Sequence, residues 1–245
     1  MKARALCQEA TSIVVLTGAG MSTDSGIPDF RSSDGMYREN PESILSRETF
    51  FQKPDLLYRF LHEKFWCQTP APNRGHFLLK EWEDKGKEMT IFTQNIDGLH
   101  RVAGSQHVTE FHGNLKTATC TNPKCGKKVE MKTLFDIMDQ DPRYYMCDCS
   151  KSTTKRYYKP DIVLYGDHVG TRSFMSEARE TVWGADLLLV LGTSLNVYPF
   201  ADLVRYRNKK NPTIIVSKGP TPFDREDDII KIEANIAETL QILSP

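Results

Sequence analysis

The residues from Gly18 to Arg31 read GAGMSTDSGIPDFR and follow the apolar run SIVVL. A turn needs one or two residues that tolerate unusual backbone angles. This stretch holds three glycines, a proline and three charges, and ends with Phe30 between Asp29 and Arg31. Glycine lets a backbone approach a phosphate and the amides that follow offer donors, so the composition asks for a ligand. The plainer reading is a turn: Thr23 stands where a dinucleotide fingerprint has its third glycine, no acidic residue ends a following strand at the usual distance, and Ser22 and Thr23 suit a helix cap. Cysteines form a second group. Cys120 and Cys125 lie in CTNPKC, Cys147 and Cys149 in CDC. Four thiolates satisfy tetrahedral zinc completely, which makes such a site structural and leaves no place for a reactive water. The alternative is a pair of reduced thiols in an insertion; zinc is expected, with Cys7 and Cys67 as unrelated packing or surface thiols.

These groups need elements to position them. SIVVLT (residues 12–17), MTIFT (89–93), DLLLVLG (186–192) and TIIVS (213–217) are short apolar runs rich in β-branched residues, bounded by Gly, Asn or Pro. None alternates apolar with polar, the pattern of parallel strands buried on both faces. Between them lie segments of helical spacing such as NRGHFLLKEWEDKGK, which predicts Phe77, Leu78 and Trp82 on one face and Gly86 at the end. Strand and helix in alternation predict an α/β fold, a Rossmann-type doubly wound parallel sheet. Two stretches break the rhythm, residues 32–70 and 113–159, the second with four of the six cysteines. They are expected to form a smaller lobe: a helical insertion with a cofactor loop at 32–70 and a zinc-binding module at 113–159. Residues 1–31, 71–112 and 160–245 would make the nucleotide-binding domain.

Composition narrows the partners. The 245-residue chain balances 32 basic against 32 acidic residues, which gives no reason to expect nucleic acid or an anionic membrane. No apolar segment approaches the roughly 20 residues of a membrane span, and MKARALCQEA is not a secretory signal. A cytoplasmic protein is expected, with cysteines reduced or metal-bound. Nothing suggests a long coiled coil, and a monomer is expected.

The strand ends carry the decisive pattern: GAGMSTDSGIPDFR, TQNIDGLH, FHGN, KPDIVLYGD and GTSLNVYP, in order from about Ile13 to the C-terminus. In order and spacing they resemble the sirtuins, the NAD-dependent protein lysine deacylases, most closely the small bacterial members. The resemblance implies that NAD is a co-substrate, that its bond to nicotinamide breaks with oxocarbenium character, and that the acyl oxygen attacks the ribose carbon. Nicotinamide, free lysine and O-acyl-ADP-ribose are the implied products. His112 matches the general base, a role suited to an imidazole whose ordinary pKa is about 6.5. Gly18, Ala19 and Gly20 match the pyrophosphate loop; Thr23, Asp29 and Arg31 match polar contacts and Phe30 the shield over the ribose. Gln94 matches a ribose contact, Asn95 the residue that orders water and the nicotinamide site, and Ile96 with Asp97 the carboxamide pair. Gly192, Thr193 and Ser194 match phosphate and adenosine contacts. Ile162, Val163, Tyr165 and Gly166 on one side, and Leu195, Asn196 and Val197 on the other, resemble the edges between which the substrate peptide lies as an added strand.

Departures from the family pattern shape further expectations. Ser217 stands where most members hold the adenosine ribose with asparagine, so weaker NAD affinity is expected. Where succinyl-removing members have Tyr and Arg, this chain has Leu61 and Lys64, so an apolar acyl group, acetyl or somewhat longer, is expected. The cysteine spacings replace the usual two C-x-x-C knuckles. Two other functions share the first motif: mono-ADP-ribosyl transfer from the same NAD site, and a non-catalytic NAD-binding interaction module.

Overall fold

The computed structural model describes residues 2–29, 40–151 and 153–245. Its strands are β1 (Ser12–Thr17), β2 (Glu88–Thr93), β3 (Val108–Glu110), β4 (Gly113–Cys120), β5 (Lys128–Glu130), β6 (Tyr158–Ile162), β7 (Leu187–Leu191), β8 (Thr213–Val216) and β9 (Ile229–Ile232). The helices are α1 (Lys2–Glu9), α2 (Pro41–Ile44), α3 (Arg47–Gln52), α4 (Pro54–Leu61), α5 (Arg74–Asp84), α6 (Leu99–Val102), α7 (Met131–Ile137), α8 (Arg172–Gly184) and α9 (Ile236–Leu243). Six strands form one sheet in the order β3-β2-β1-β7-β8-β9, and every pairing in it is parallel. The chain leaves β1 towards β2 on one side and returns on the other as β7, so the strand order reverses at β1. Ligands of doubly wound sheets bind beyond the carboxyl ends of the strands at such a switch point.

The apolar runs are strands because both of their faces find partners. Successive side chains point to opposite sides of a sheet. Ile13 and Val15 join Leu79, Trp82, Leu189 and Leu240 in one core, under α1, α5 and α9. Val14 and Leu16 join Val182, Leu188, Val190 and Leu203 in another, under α8 and the 3-10 segment Phe200–Tyr206. Helix α5 shows one departure from the sequence reading. His76, Leu78, Leu79 and Trp82 are buried, whereas Phe77 is 43% exposed. The buried stripe runs between 78 and 79 towards 82, and at 100° per residue position 77 falls on its rim. Gly86 does end the helix, at φ +93°, with the Lys87 amide donating to the Trp82 carbonyl at 3.1 Å.

The remaining elements make a second body of structure. Strands β5-β4-β6 form a small antiparallel sheet. Its side chains share a single core with the helical insertion: Leu57, Tyr58 and Leu61 pack with Met131, Phe135, Tyr144 and Tyr158. The Tyr58 hydroxyl donates to the Tyr158 carbonyl, tying two segments a hundred residues apart in sequence. Among the described residues no helix is long and apolar enough to cross a membrane.

Candidate functional site

All six parallel strands deliver residues to one cavity of about 670 Å³ at their carboxyl ends. Gly18, Ala19, Gly20, Ser22 and Asp29 follow β1; Gln94, Asn95, Ile96 and Asp97 follow β2; His112 follows β3. Gly192, Thr193, Ser194, Asn196 and Val197 follow β7, Ser217 follows β8, and Ala234 and Asn235 follow β9. The opposite wall comes from Leu45 and Phe65 of the helical insertion and from Ile162, Val163, Tyr165 and Gly166 at the end of β6. The volume lies within the usual range for small-molecule and cofactor sites.

The glycines of the first loop are required before any ligand arrives. The Gly18 amide donates to the Leu191 carbonyl at 3.1 Å and the Gly20 amide to the Gly192 carbonyl at 2.9 Å, so the loops after β1 and β7 lie backbone to backbone. A Cβ on Gly18 would stand 2.7 Å from the Thr193 Cβ, and one on Gly20 would stand 2.8 Å from the Gly192 Cα. Gly192 itself has φ +61° and faces the Met21 amide nitrogen. The pyrophosphate reading named only part of what these glycines do; they also seal the floor of the cavity at the switch point.

On that floor the polar groups interlock. Asn95 Nδ2 donates to the Gly18 carbonyl and to Ser22 Oγ, both at 3.1 Å, and Ser22 Oγ donates to Asp97 Oδ2 at 2.7 Å. The other Asp97 oxygen accepts the Leu99 amide at 2.9 Å. Burial pushes the Asp97 carboxyl above its ordinary pKa, with Glu110 adding to the shift against the two hydrogen bonds. Gln94 Nε2 donates to Thr193 Oγ1 at 2.9 Å, joining the β2 and β7 loops. His112 is half-buried, with Nδ1 3.2 Å from the Gln94 carbonyl. A carbonyl only accepts, so Nδ1 carries the proton and Nε2 holds the lone pair of a neutral ring. Burial lowers the His112 pKa, opposed by that hydrogen bond.

Some residues stand elsewhere than the sequence reading put them. Thr23 does not line the cavity: it is exposed, and its hydroxyl donates to the Gly20 carbonyl at 3.1 Å within its own turn. Leu195 does not line it either, being 1% exposed at φ +53° in the core with Phe111 and Phe200. Phe30 and Arg31 lie outside the described residues. Ser217 reaches the cavity, but its hydroxyl donates to the Gly219 carbonyl at 3.0 Å and accepts the Gly219 amide at 3.3 Å. Tyr165 also lines the wall, though its amide and carbonyl are taken by Leu45 and Arg47. Gly166 makes no main-chain hydrogen bond among the described residues, so the open backbone on this edge is one position further along. Asp167 braces the segment, pairing with Lys159 at 2.8 Å and Arg47 at 3.2 Å; burial would raise its pKa, but these cations and the Leu164 amide outweigh burial and lower it. The sequence reading missed Asp24, Asn73, Lys218 and Asn235, all of which line the cavity. Asn73 and Asn235 had a signal, since each starts an N-x-x-His or N-x-x-Glu spacing before a helix.

Across the small lobe, the four cysteine sulfurs lie within 4.8 Å of one another. Cys120 and Cys149 are 3.5 Å apart and Cys125 and Cys147 3.8 Å apart. Sulfurs at the corners of a tetrahedron around zinc, each about 2.3 Å from the metal, sit about 3.8 Å apart, so the donor set fits. Both members of the CDC pair contribute. A turn closed by the Ser150 amide on the Cys147 carbonyl at 2.9 Å lets the short spacing do so.

Comparison with known proteins places the chain. The Sir2 family model matches residues 18–199. The chain belongs to the Sir2 family. An NAD-dependent protein deacetylase of Bacillus anthracis is 39% identical over 98% of this chain and 96% of its own length. NAD-dependent protein deacetylase 2 of Geobacillus kaustophilus is 41% identical over 95% of this chain and 92% of its own. Among solved sirtuin structures, a Sir2 complex with deacetylated p53 peptide and 3′-O-acetyl ADP-ribose superposes with a TM-score of 0.85 at 33% identity, covering 98% of this chain and 95% of the other. A Sir2 complex with p53 peptide and NAD+ gives 0.81 at 33% identity, covering 98% and 94%.

Proposed function

We propose that the protein removes acetyl groups from lysine side chains of other proteins with NAD as co-substrate, yielding nicotinamide, free lysine and O-acetyl-ADP-ribose. NAD, when bound, supplies the nicotinamide–ribose bond whose cleavage opens the ribose carbon to the acetyl oxygen. The loops after β1 and β7 would receive its pyrophosphate through Gly18, Ala19, Gly20, Gly192, Thr193 and Ser194, and Asp29 stands at the same cavity. Gln94, tied to Thr193 and lining the same cavity, would contact the ribose. Asn95, Ile96 and Asp97 would hold the carboxamide, since an amide needs both a donor and an acceptor and the Asn95–Ser22–Asp97 chain is already fixed. His112 takes a proton at Nε2, the nitrogen left basic by the bond from Nδ1 to Gln94.

That locked imidazole beside the Asn95 and Asp97 cluster carries the reading, because a protein that merely binds NAD needs no base there. Between Gly166 and the Asn196–Val197 edge a peptide strand would enter, its acetyl-lysine passing the apolar wall of Leu45, Phe65 and Leu164. Leu61, at 0% exposure in the helical core, brings no hydroxyl to an acidic acyl group, and the apolar wall of Leu45, Phe65 and Leu164 supports an acetyl or other apolar acyl preference. Cys120, Cys125, Cys147 and Cys149 would hold zinc with all four positions filled, bracing the lobe and supplying no reactive water.

Incubation with NAD and an acetyl-lysine peptide tests the reading, with products followed by mass spectrometry. Deacetylated peptide, nicotinamide and acetyl-ADP-ribose in equal amounts are expected. Transfer of ADP-ribose to a protein side chain with the acetyl group left in place would replace it with the transferase alternative.

A further inference from the structure

We infer that Asn73, the N-cap of α5, is a positioning residue for the loop after β1, and that this clamp sets the affinity for NAD; the second part rests on the proposed deacetylase reading. Asn73 Oδ1 accepts the Gly75 amide at 2.9 Å, which caps α5. A helix cap needs no more than an acceptor, yet this side chain is used at both ends. Its Nδ2 donates to the Met21 carbonyl at 2.8 Å and to Ser25 Oγ at 3.0 Å, joining the two short 3-10 turns Ala19–Met21 and Thr23–Ser25. Only one amide orientation serves these partners, because the Gly75 amide is a donor and the Met21 carbonyl an acceptor.

The side chain is held from behind as well. The Asn73 amide donates to His76 Nδ1 at 3.2 Å, closing a capping box around a histidine that is 0% exposed. The His76 ring stands edge-on to His100 with centroids 4.8 Å apart, and His100 Nε2 meets Thr17 Oγ1 at 3.0 Å on the last residue of β1. A chain of contacts therefore runs from the end of β1 through two buried imidazoles and Asn73 back to the loop that β1 feeds. Space is tight at the junction: a Cβ on Gly75 would lie 3.1 Å from Asn73 Oδ1 and 3.2 Å from the Met21 Cε. Neither the glycines of the loop nor its own turns supply a donor to the Met21 carbonyl, so Asn73 holds the loop at Met21, next to the Ser22 that Asn95 and Asp97 bind from the other side.

Asn73→Asp and Asn73→Ser separate the two roles: both keep an acceptor for the cap, the carboxylate has no donor for the loop, and the serine hydroxyl, one atom shorter than the amide, ends short of the place from which Nδ2 reaches the Met21 carbonyl. Amide exchange in the free protein reads the clamp without any activity. In both variants the amides of 20–27 are expected to exchange about fivefold to tenfold faster, the loss typical of one net hydrogen bond, while α5 keeps its protection. With wild-type protein active, the KM for NAD should rise by a similar factor, with the KM for acetyl peptide within about twofold of wild type. Unchanged exchange in the 20–27 segment, or acceleration spread equally into α5, would overturn the positioning role. Faster exchange with an unchanged KM for NAD would overturn the link to affinity. Inactive wild-type protein would instead sink the deacetylase reading, leaving the exchange experiment to decide the clamp.

Discussion

In the proposed reaction His112 is the base, and one neighbour together with burial suits the imidazole to that role. The Gln94 carbonyl fixes the tautomer, and burial holds the pKa below its ordinary value. A lowered pKa keeps the ring neutral to lower pH, so the sign of the effect on catalysis follows. On the acidic side, kcat/KM should fall with an apparent pKa below about 6.5, the ordinary histidine value. An acidic limb centred above pH 7 would contradict this environment. His112, Asn95 and Asp97 were legible in the sequence because FHGN and TQNIDG announce them in short contiguous motifs. Thr23 and Leu195 stand off the cavity lining for the opposite reason: within a motif, neighbouring side chains turn away from the cavity, and only the backbone path shows which. Asn73 escaped because its donors cross 48 and 52 positions of sequence to reach their acceptors.

Elements explain why the site can be assembled at all. The loops after β1 and β7 touch through Gly18, Gly20 and Gly192, and no sequence motif states that two separate glycine clusters pack on each other. Four of the parallel strands were legible as apolar runs. β3, with three residues, and the half-buried β9 were not, since short or partly exposed strands lack that signal. In the small lobe, the CDC spacing departs from the family pattern, yet the two sulfurs join those of Cys120 and Cys125. Elemental analysis should find one zinc per chain. Cys149→Ser should lose the metal and lower the melting temperature, because a structural zinc is bound with folding energy. Full metal content in that variant would remove Cys149 from the ligand set.

At the scale of the whole molecule, the cavity lies where the sheet edge faces the small lobe, and the parallel sheet is anchored beneath it by His76 and His100. Both are nearly solvent-free, and burial lowers both pKa values, His76 to about 4. A folded pKa below the unfolded one means that the unfolded chain binds more protons as pH falls, so stability is lost on acidification from about pH 6.5 towards 4. For His76 alone the loss between pH 7 and 5 is about 2 kcal/mol, from ~1.4 kcal/mol per unit below the unfolded value. Denaturant unfolding should show that much less acid sensitivity in His76→Gln than in wild type; equal slopes would mean that His76 is charged or hydrated in the native state. The overall architecture was legible because alternating apolar runs and helical spacings leave few folds open. The joining of 32–70 to 113–159 was legible only as an expectation, since the shared core around Tyr58 depends on contacts between distant segments.

The central claim is that one imidazole turns an NAD-binding cleft into a deacetylase. Its most direct test is to measure NAD binding and single-turnover deacetylation side by side in wild type and His112→Ala. The account predicts an NAD dissociation constant within about threefold of wild type and a deacetylation rate reduced at least a hundredfold, the usual contribution of a general base. A His112→Ala protein that still deacetylates at more than about a tenth of the wild-type rate would contradict it.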